Sequence, residues 1–131
     1  LKRVIMCLGI LGLLLLAACP PPDSGNDLER RVDMFNNHVR WGKFDLAAGY
    51  ILPMKRATFE ESQLKKARSR RCTGYEVTRT RLTGPKTATA QVLFGWTERS
   101  STIVRAVTVK QIWKRIGGVW MLIEWDPEDG I

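Results

Sequence analysis

Residues 111–125 read QIWKRIGGVWMLIEW. Two apolar, strand-forming runs flank a pair of glycines, and glycines that accept positive φ make the two-residue turn of a hairpin. The spacing therefore predicts a strand through Gln111-Ile112-Trp113-Lys114-Arg115, a turn at Gly117-Gly118 and a last strand over Val119–Trp125. Alternation puts Val119, Met121, Ile123 and Trp125 on one face of that last strand, with Trp120, Leu122 and Glu124 on the other. Both faces are apolar, whereas an antiparallel sheet with one wet face alternates apolar and polar. Something is expected to cover the second face, and a second copy of the chain, forming a homodimer through the sheet, is the first expectation.

Upstream, the period of two continues. Ile103 to Arg115 predicts the preceding strand. Ala88, Ala90, Val92, Phe94 and Trp96 alternate with Thr89, Gln91, Leu93, Gly95 and Thr97 in a long strand before that. Tyr75 to Leu82 is rich in strand formers, and Thr83-Gly84-Pro85-Lys86 is a turn. Further back the period becomes helical. Asp27 is placed to cap a helix in which Leu28, Val32, Phe35 and Val39 form one apolar stripe, while Glu29, Arg30, Asp33, Asn36, Asn37 and Arg40 fall elsewhere on the wheel. Gly42 ends it, with Trp41 packed near the exit. Asp45 caps a short segment, Leu46 to Ile51, before Pro53. Thr58 and Glu61 fit a capping box for a third helix from Phe59 to about Arg70, with a narrow stripe of Phe59, Leu64 and Ala67. Helices followed by about four antiparallel strands make an α+β domain with the helices packed on one face of the sheet.

The stretch Trp41-Gly42-Lys43-Phe44-Asp45-Leu46-Ala47-Ala48 and the final Gly117-Gly118-Val119-Trp120-Met121-Leu122 resemble the helix break and last hairpin of the nuclear transport factor 2-like, or SnoaL-like, superfamily. The resemblance covers about Leu28 to Trp125. It implies N-terminal helices on a strongly curved sheet, closing a cone with a pocket inside. Enzymes of the superfamily, such as ketosteroid isomerases and polyketide cyclases, hold an aspartate in that cone, often with a tyrosine or histidine donor. A buried carboxylate with a shifted pKa suits proton abstraction beside a carbonyl.

The predicted strands hold no aspartate. Glu124 shares a face with Trp120 and is the one carboxylate placed to point inward; the alternative is a glutamate at the rim. His38 borders the apolar stripe, either as a proton carrier or as a hydrogen-bonded core histidine. Trp120, Glu124 and His38 are therefore the candidate pocket residues. One histidine and one remaining thiol do not build a usual zinc site. A Cys72–His38 nucleophile pair needs a proximity that spacing does not supply. Serine elbows, phosphate loops and dinucleotide glycine patterns are missing. No catalytic residue, metal or cofactor is expected, and the domain reads as a non-enzymatic binding or assembly module, with an enzyme or a carrier of small apolar ligands using the cone pocket as the alternative.

The front of the chain carries its address. Lys2 and Arg3 precede an uncharged apolar run, Val4 to Ala18, which is shorter than the roughly 20 residues of a spanning helix. A basic start, a short apolar run and small closing residues are the pattern of a secretory signal; a buried core helix is the alternative. Leu16-Ala17-Ala18-Cys19 resembles the lipobox of bacterial lipoproteins. That resemblance implies a diacylglyceryl thioether on Cys19, cleavage between Ala18 and Cys19, and acylation of the new amino group, since stable anchoring takes more than one chain. Export without lipid, after cleavage near Ala18, is the other reading. Proline rather than aspartate at position 20 points to the periplasmic face of the outer membrane. Residues 1–18 are thus read as signal, 19–27 as lipidated cysteine and proline-rich tether (Pro20-Pro21-Pro22, then Asp23-Ser24-Gly25-Asn26), and 28–131 as the domain.

Cleavage would remove Cys7, and lipid would occupy Cys19, so Cys72 alone would remain and no internal disulfide can form. Cys72 follows Ser69-Arg70-Arg71, where arginines lower a thiol pKa; the plainer reading is a half-buried small residue at a strand start. The formal charge of +8 falls by two with Lys2 and Arg3. A basic exported chain meets anionic envelope components, lipid phosphates or polysaccharide, and the export signal argues against nucleic acid. The run Lys65-Lys66-Ala67-Arg68-Ser69-Arg70-Arg71 is either a solvated helix end or a surface for such a partner.

Overall fold

In a computed structural model, which describes residues 24–127, the first element is α1, Ser24–Arg40. The leader, the Ala18–Cys19 junction and the prolines lie outside the described residues, as do 128–131. After α1 come α2 (Phe44–Ala48), a 3₁₀ turn (Pro53–Lys55) and α3 (Arg56–Ala67). The strands follow as β1 (Arg70–Leu82), β2 (Thr87–Glu98), β3 (Arg105–Ile116) and β4 (Val119–Pro127). They form one antiparallel sheet in the order β1-β2-β3-β4. Gly117 and Gly118, at φ 58° and 79°, make the expected hairpin turn. Gly42, at φ 69°, closes α1, where Lys43 N–H donates to the His38 carbonyl. Among the described residues no helix is long and apolar enough to cross a membrane.

The helix starts differ from expectation. Ser24 to Asn26, read as a flexible exit, belong to the first turn of α1, so Asp27 lies inside the helix and pairs with Arg30 at 2.7 Å. Lys43, not Asp45, precedes α2. Thr58 lies within α3, whose N-cap position is Lys55, so no capping box forms. The buried residues of α3 are Phe59 and Gln63, while Leu64 is 56% exposed. The basic run is split, with Lys65 and Lys66 in the last turn of α3 and Arg70 and Arg71 opening β1. Trp41, expected to pack near the exit of α1, is 63% exposed.

Helix α1 is held against the sheet by its apolar stripe and by one polar contact. Leu28, Val32, Phe35 and Val39 are buried as the spacing predicts. The Phe35 ring meets Trp113 edge-on, with centroids 5.9 Å apart, and aromatic pairs of this geometry contribute beyond their buried area. Asn36, expected off the stripe, is fully buried. Its Nδ2 donates to the Val32 carbonyl at 2.7 Å and to Gln111 Oε1 at 3.2 Å, and Gln111 Nε2 donates back to Asn36 Oδ1 at 2.7 Å. Trp113 Nε1 also donates to Gln111 Oε1, at 3.3 Å. Buried amides cost free energy unless their donors and acceptors are matched, and this pair matches them across the helix–sheet interface.

Two further contacts fix the sides of α1. Tyr75 Oη donates to Asp33 Oδ1 at 2.7 Å, tying α1 to β1. Burial first, and then that carboxylate, holds the phenol well above its ordinary pKa. On the other side Arg31 Nε donates to the Trp120 carbonyl, and its guanidinium lies 4.5 Å from the Tyr50 ring centre. The free edge of β4 is met by the segment after α2. Leu122 N–H donates to the Tyr50 carbonyl at 2.8 Å, and Leu52 N–H to the Leu122 carbonyl at 3.2 Å, as a parallel bridge.

The last strand does not alternate as predicted. Trp113 pairs with Leu122 but Ile112 pairs with Glu124, so Ile123 is an extra, bulged residue. The bulge exchanges the faces of everything after it. Trp120 and Leu122 are fully buried, Trp125 packs on Phe59 with centroids 5.5 Å apart, and Glu124 is exposed. Past the bulge the outer face is therefore charged, at Glu124 and Asp126, whereas before it Val119 and Met121 keep that face apolar as expected, with Ile116 and Val119 exposed beside Lys110 and Lys114.

Two outcomes follow. Gln111→Ala strands the Asn36 amide and the Trp113 N–H and opens a void, so it should lower unfolding free energy by about 3 kcal/mol; a loss below about 1 kcal/mol in denaturant unfolding contradicts the bridging role. Cys72 is buried, and that burial outweighs the Gly74 carbonyl contact and the Arg40 and Arg70 charges, raising the thiol pKa rather than lowering it. Thiol labelling at pH 8, read by peptide mapping, should therefore modify Cys72 only upon unfolding. Above the ordinary thiol pKa the unfolded thiol ionises first, so this group subtracts stability as pH rises and has no effect below that range. Rapid labelling in the native state contradicts this.

Candidate functional site

The inner face of the sheet and the inner sides of α1 and α3 line a small, half-open cavity of about 70 Å³. Its walls are aromatic and aliphatic: Phe35, Phe59, Phe94, Trp96, Trp125, Val39, Val107 and Val109. Alternation delivers them, since Phe94 and Trp96 project from one face of β2 and Val107 and Val109 from the same face of β3. Gln111 and Gln63 supply amides, and Lys66 and Arg70 stand at the cationic side. Gln63, Lys66 and Arg70 come from the inward side of α3 and the start of β1, which explains why that helix lacks a clean apolar stripe. It faces a cavity rather than a sealed core.

Lys66 and Arg70 are both partly desolvated. Burial, and then the charge of Arg70, pushes the Lys66 ammonium below its ordinary pKa, and burial does the same to Arg70. The Arg70 guanidinium lies 4.2 Å from the Trp96 ring centre, a cation–π contact, and its Nε is buried with no hydrogen-bond partner. The only ion pair among the described residues is Arg30–Asp27, so neither Lys66 nor Arg70 has a carboxylate.

Trp96 and Arg70 also wall two neighbouring depressions. One is a cleft of about 590 Å³ along Ser69, the β2–β3 loop from Glu98 to Ser101, and Ile103, Arg105 and Val107. The other is a groove of about 280 Å³ between the end of α1 and the start of β1, lined by Arg40, Trp41, Arg71, Cys72 and Arg99 among others.

The candidate pocket residues are not brought together. Trp120 is fully buried, with its Nε1 unpartnered, and packs in the core rather than lining the cavity. Glu124 is turned outward by the bulge and borders a shallow depression with Met54, Lys55, Thr58, Trp125 and Asp126. His38 is half-buried with its ring 5.8 Å from that of Tyr50, away from the cavity. Cys72 is not joined to His38; its thiol contacts the Gly74 carbonyl at 3.4 Å. Ala18 and Cys19 lie outside the described residues. Among those residues no group of three His, Cys, Asp or Glu gathers as a metal site. The residues that do line the cavity and its mouth, Gln63, Lys66, Arg70 and Gln111, were not singled out as pocket residues from sequence. The one available signal was the polar letters interrupting the α3 and β3 stripes.

Neither a protein-family model nor a curated protein sequence matches the chain. Its structure does have counterparts. A ketosteroid isomerase-like protein from Erwinia carotovora atroseptica superposes with a TM-score of 0.65 at 10% identity, over 80% of this chain and 95% of that one. A SEC-C motif containing protein from Rhodopseudomonas palustris gives 0.63 at 11% identity, over 75% and 76%. A protein of unknown function with a cystatin-like fold from Nostoc punctiforme gives 0.60 at 11%, over 78% and 87%. At such identities the likeness is one of fold. The domain has the α+β cone of these proteins, as the nuclear transport factor 2-like resemblance implied.

Proposed function

We propose that this chain is a lipid-anchored envelope protein, held by an acylated Cys19 at the periplasmic face of the outer membrane, and that its cone-shaped domain is a non-enzymatic binding module. The observation that carries the second half is the composition of the cone. Among the described residues its walls present no carboxylate and no imidazole, and its polar groups are two amides and two cations. Proton abstraction needs a positioned base, and Glu124 and His38, the two candidates, both face away from the cavity. The size of the cavity bears on the alternative, a carrier of apolar small molecules. A dry cavity of about 150 Å³ accepts a benzene-sized ring, and this one has about half that volume. Its aromatic filling therefore supports a well-filled scaffold whose recognition surface lies at the rim and outside. The Leu16-Ala17-Ala18-Cys19 motif supports the anchor.

Each half has its own test. In the exporting host, Cys19→Ser should abolish labelling by radioactive palmitate and release the protein from membranes, and unchanged attachment rejects the anchor. Native mass spectrometry of the purified chain should show no co-purified molecule the size of a steroid or fatty acid, and a retained one of that size overturns the well-filled scaffold.

A further inference from the structure

Four arginines surround one small groove. Arg40, Arg70, Arg71 and Arg99 line it beside Trp41 and Trp96, and among the described residues no carboxylate lines it. Their positions come from three separate parts of the fold: the end of α1, the start of β1 and the β2–β3 loop. Two are anchored by backbone carbonyls. Arg40 Nη1 donates to Cys72 at 2.8 Å while its guanidinium lies 4.3 Å from the Trp41 ring centre, and Arg99 Nε donates to Ala67 at 3.0 Å. Arg70 lies over Trp96 with its Nε buried and unpartnered. Among the described residues none of the four has an ion pair.

Like charges held around one concavity repel, and repulsion grows where water is partly excluded. An anion in the groove would remove that penalty and satisfy the open guanidinium edges. The planar fork of arginine matches the oxygens of phosphate, and stacking on indole keeps it oriented without neutralising it. We propose that this groove binds phosphate-type oxyanions. The adjoining cleft, which shares Arg70, Trp96 and Arg99 and adds Arg105 together with Glu98, takes the rest of a larger ligand. The site goes beyond the envelope address and does not depend on acylation of Cys19. It also lies at the far end of α1, roughly 25 Å from the helix start, and so points away from the amino-terminal side.

The full chain in neutral-detergent micelles is titrated with pyrophosphate, reading tryptophan fluorescence and thermal midpoint. In a parallel arm the micelles are doped with phosphatidylglycerol or with phosphatidylcholine. Saturable, salt-sensitive binding is expected. Arg71→Gln and Arg99→Gln should each weaken it about tenfold, with Arg71→Lys intermediate. Arg71 is exposed and its side chain makes none of the described hydrogen bonds, so its replacement leaves the fold intact. Arg79→Gln with Arg81→Gln, exposed on β1 away from the groove, should leave binding unchanged. A response to phosphatidylglycerol alone, lost in Arg71→Gln, identifies a headgroup as the source of the oxyanion. Absence of binding in both arms overturns the site, as does equal weakening by the Arg79/Arg81 pair, which would make the effect one of net charge.

Discussion

Two primary amides facing each other in the core, Asn36 on α1 and Gln111 on β3, set the constraint on which the rest of the domain depends. Apolar packing alone leaves a helix free to slide or roll on a sheet by small amounts at small cost. A buried amide does not share that tolerance, because every displacement leaves a donor or acceptor bare. With Asn36 opposite Gln111, Phe35 is delivered to Trp113 and α1 is oriented so that Asp33 reaches Tyr75 and Arg31 reaches Trp120. A one-residue slip of β3 would put Lys110 or Ile112 opposite Asn36 instead, and either would leave the amide unpaired.

Much of this architecture is legible in the letters. The alternation of Ala88 to Trp96, the Gly117-Gly118 turn and the stripe of Leu28, Val32, Phe35 and Val39 are local patterns, and local geometry reproduces them. What stays hidden depends on partners distant in sequence. Asn36 looks like a surface residue until Gln111 is placed opposite it. The bulge at Ile123 belongs to the pairing of β3 with β4, not to either strand, so strict alternation assigns Glu124 to the wrong face. Likewise α3 has a poor apolar stripe because its inward side forms a cavity wall, and a periodicity argument selects Leu64 where the fold buries Gln63.

The same reasoning explains the charges. The densest basic run, 65–71, does not act as a block: the chain turns from helix to strand within it, sending Lys66 and Arg70 to the cavity mouth and Arg71 to the groove. Arg40 and Arg99, isolated in sequence, complete the cluster because α1 ends and β2 turns beside the start of β1. Counting charges along the chain finds the basic character but not its focus, which is a product of topology. Thiol chemistry shows the converse, since arginines beside Cys72 suggest activation while burial, a tertiary property, dominates.

The two edges of the sheet differ in kind. Segment 50–52 covers the rim of β4, so its backbone groups there are already engaged. Among the described residues the rim of β1 has no strand beyond it, yet it is interrupted by irregularities at Cys72/Gly74 and Val77/Arg79 and bears Arg79 and Arg81. A kinked, cationic border is a poor template for another extended segment. Edge-to-edge growth of sheets into fibrils is thus opposed on one side by a bridging segment and on the other by shape and charge.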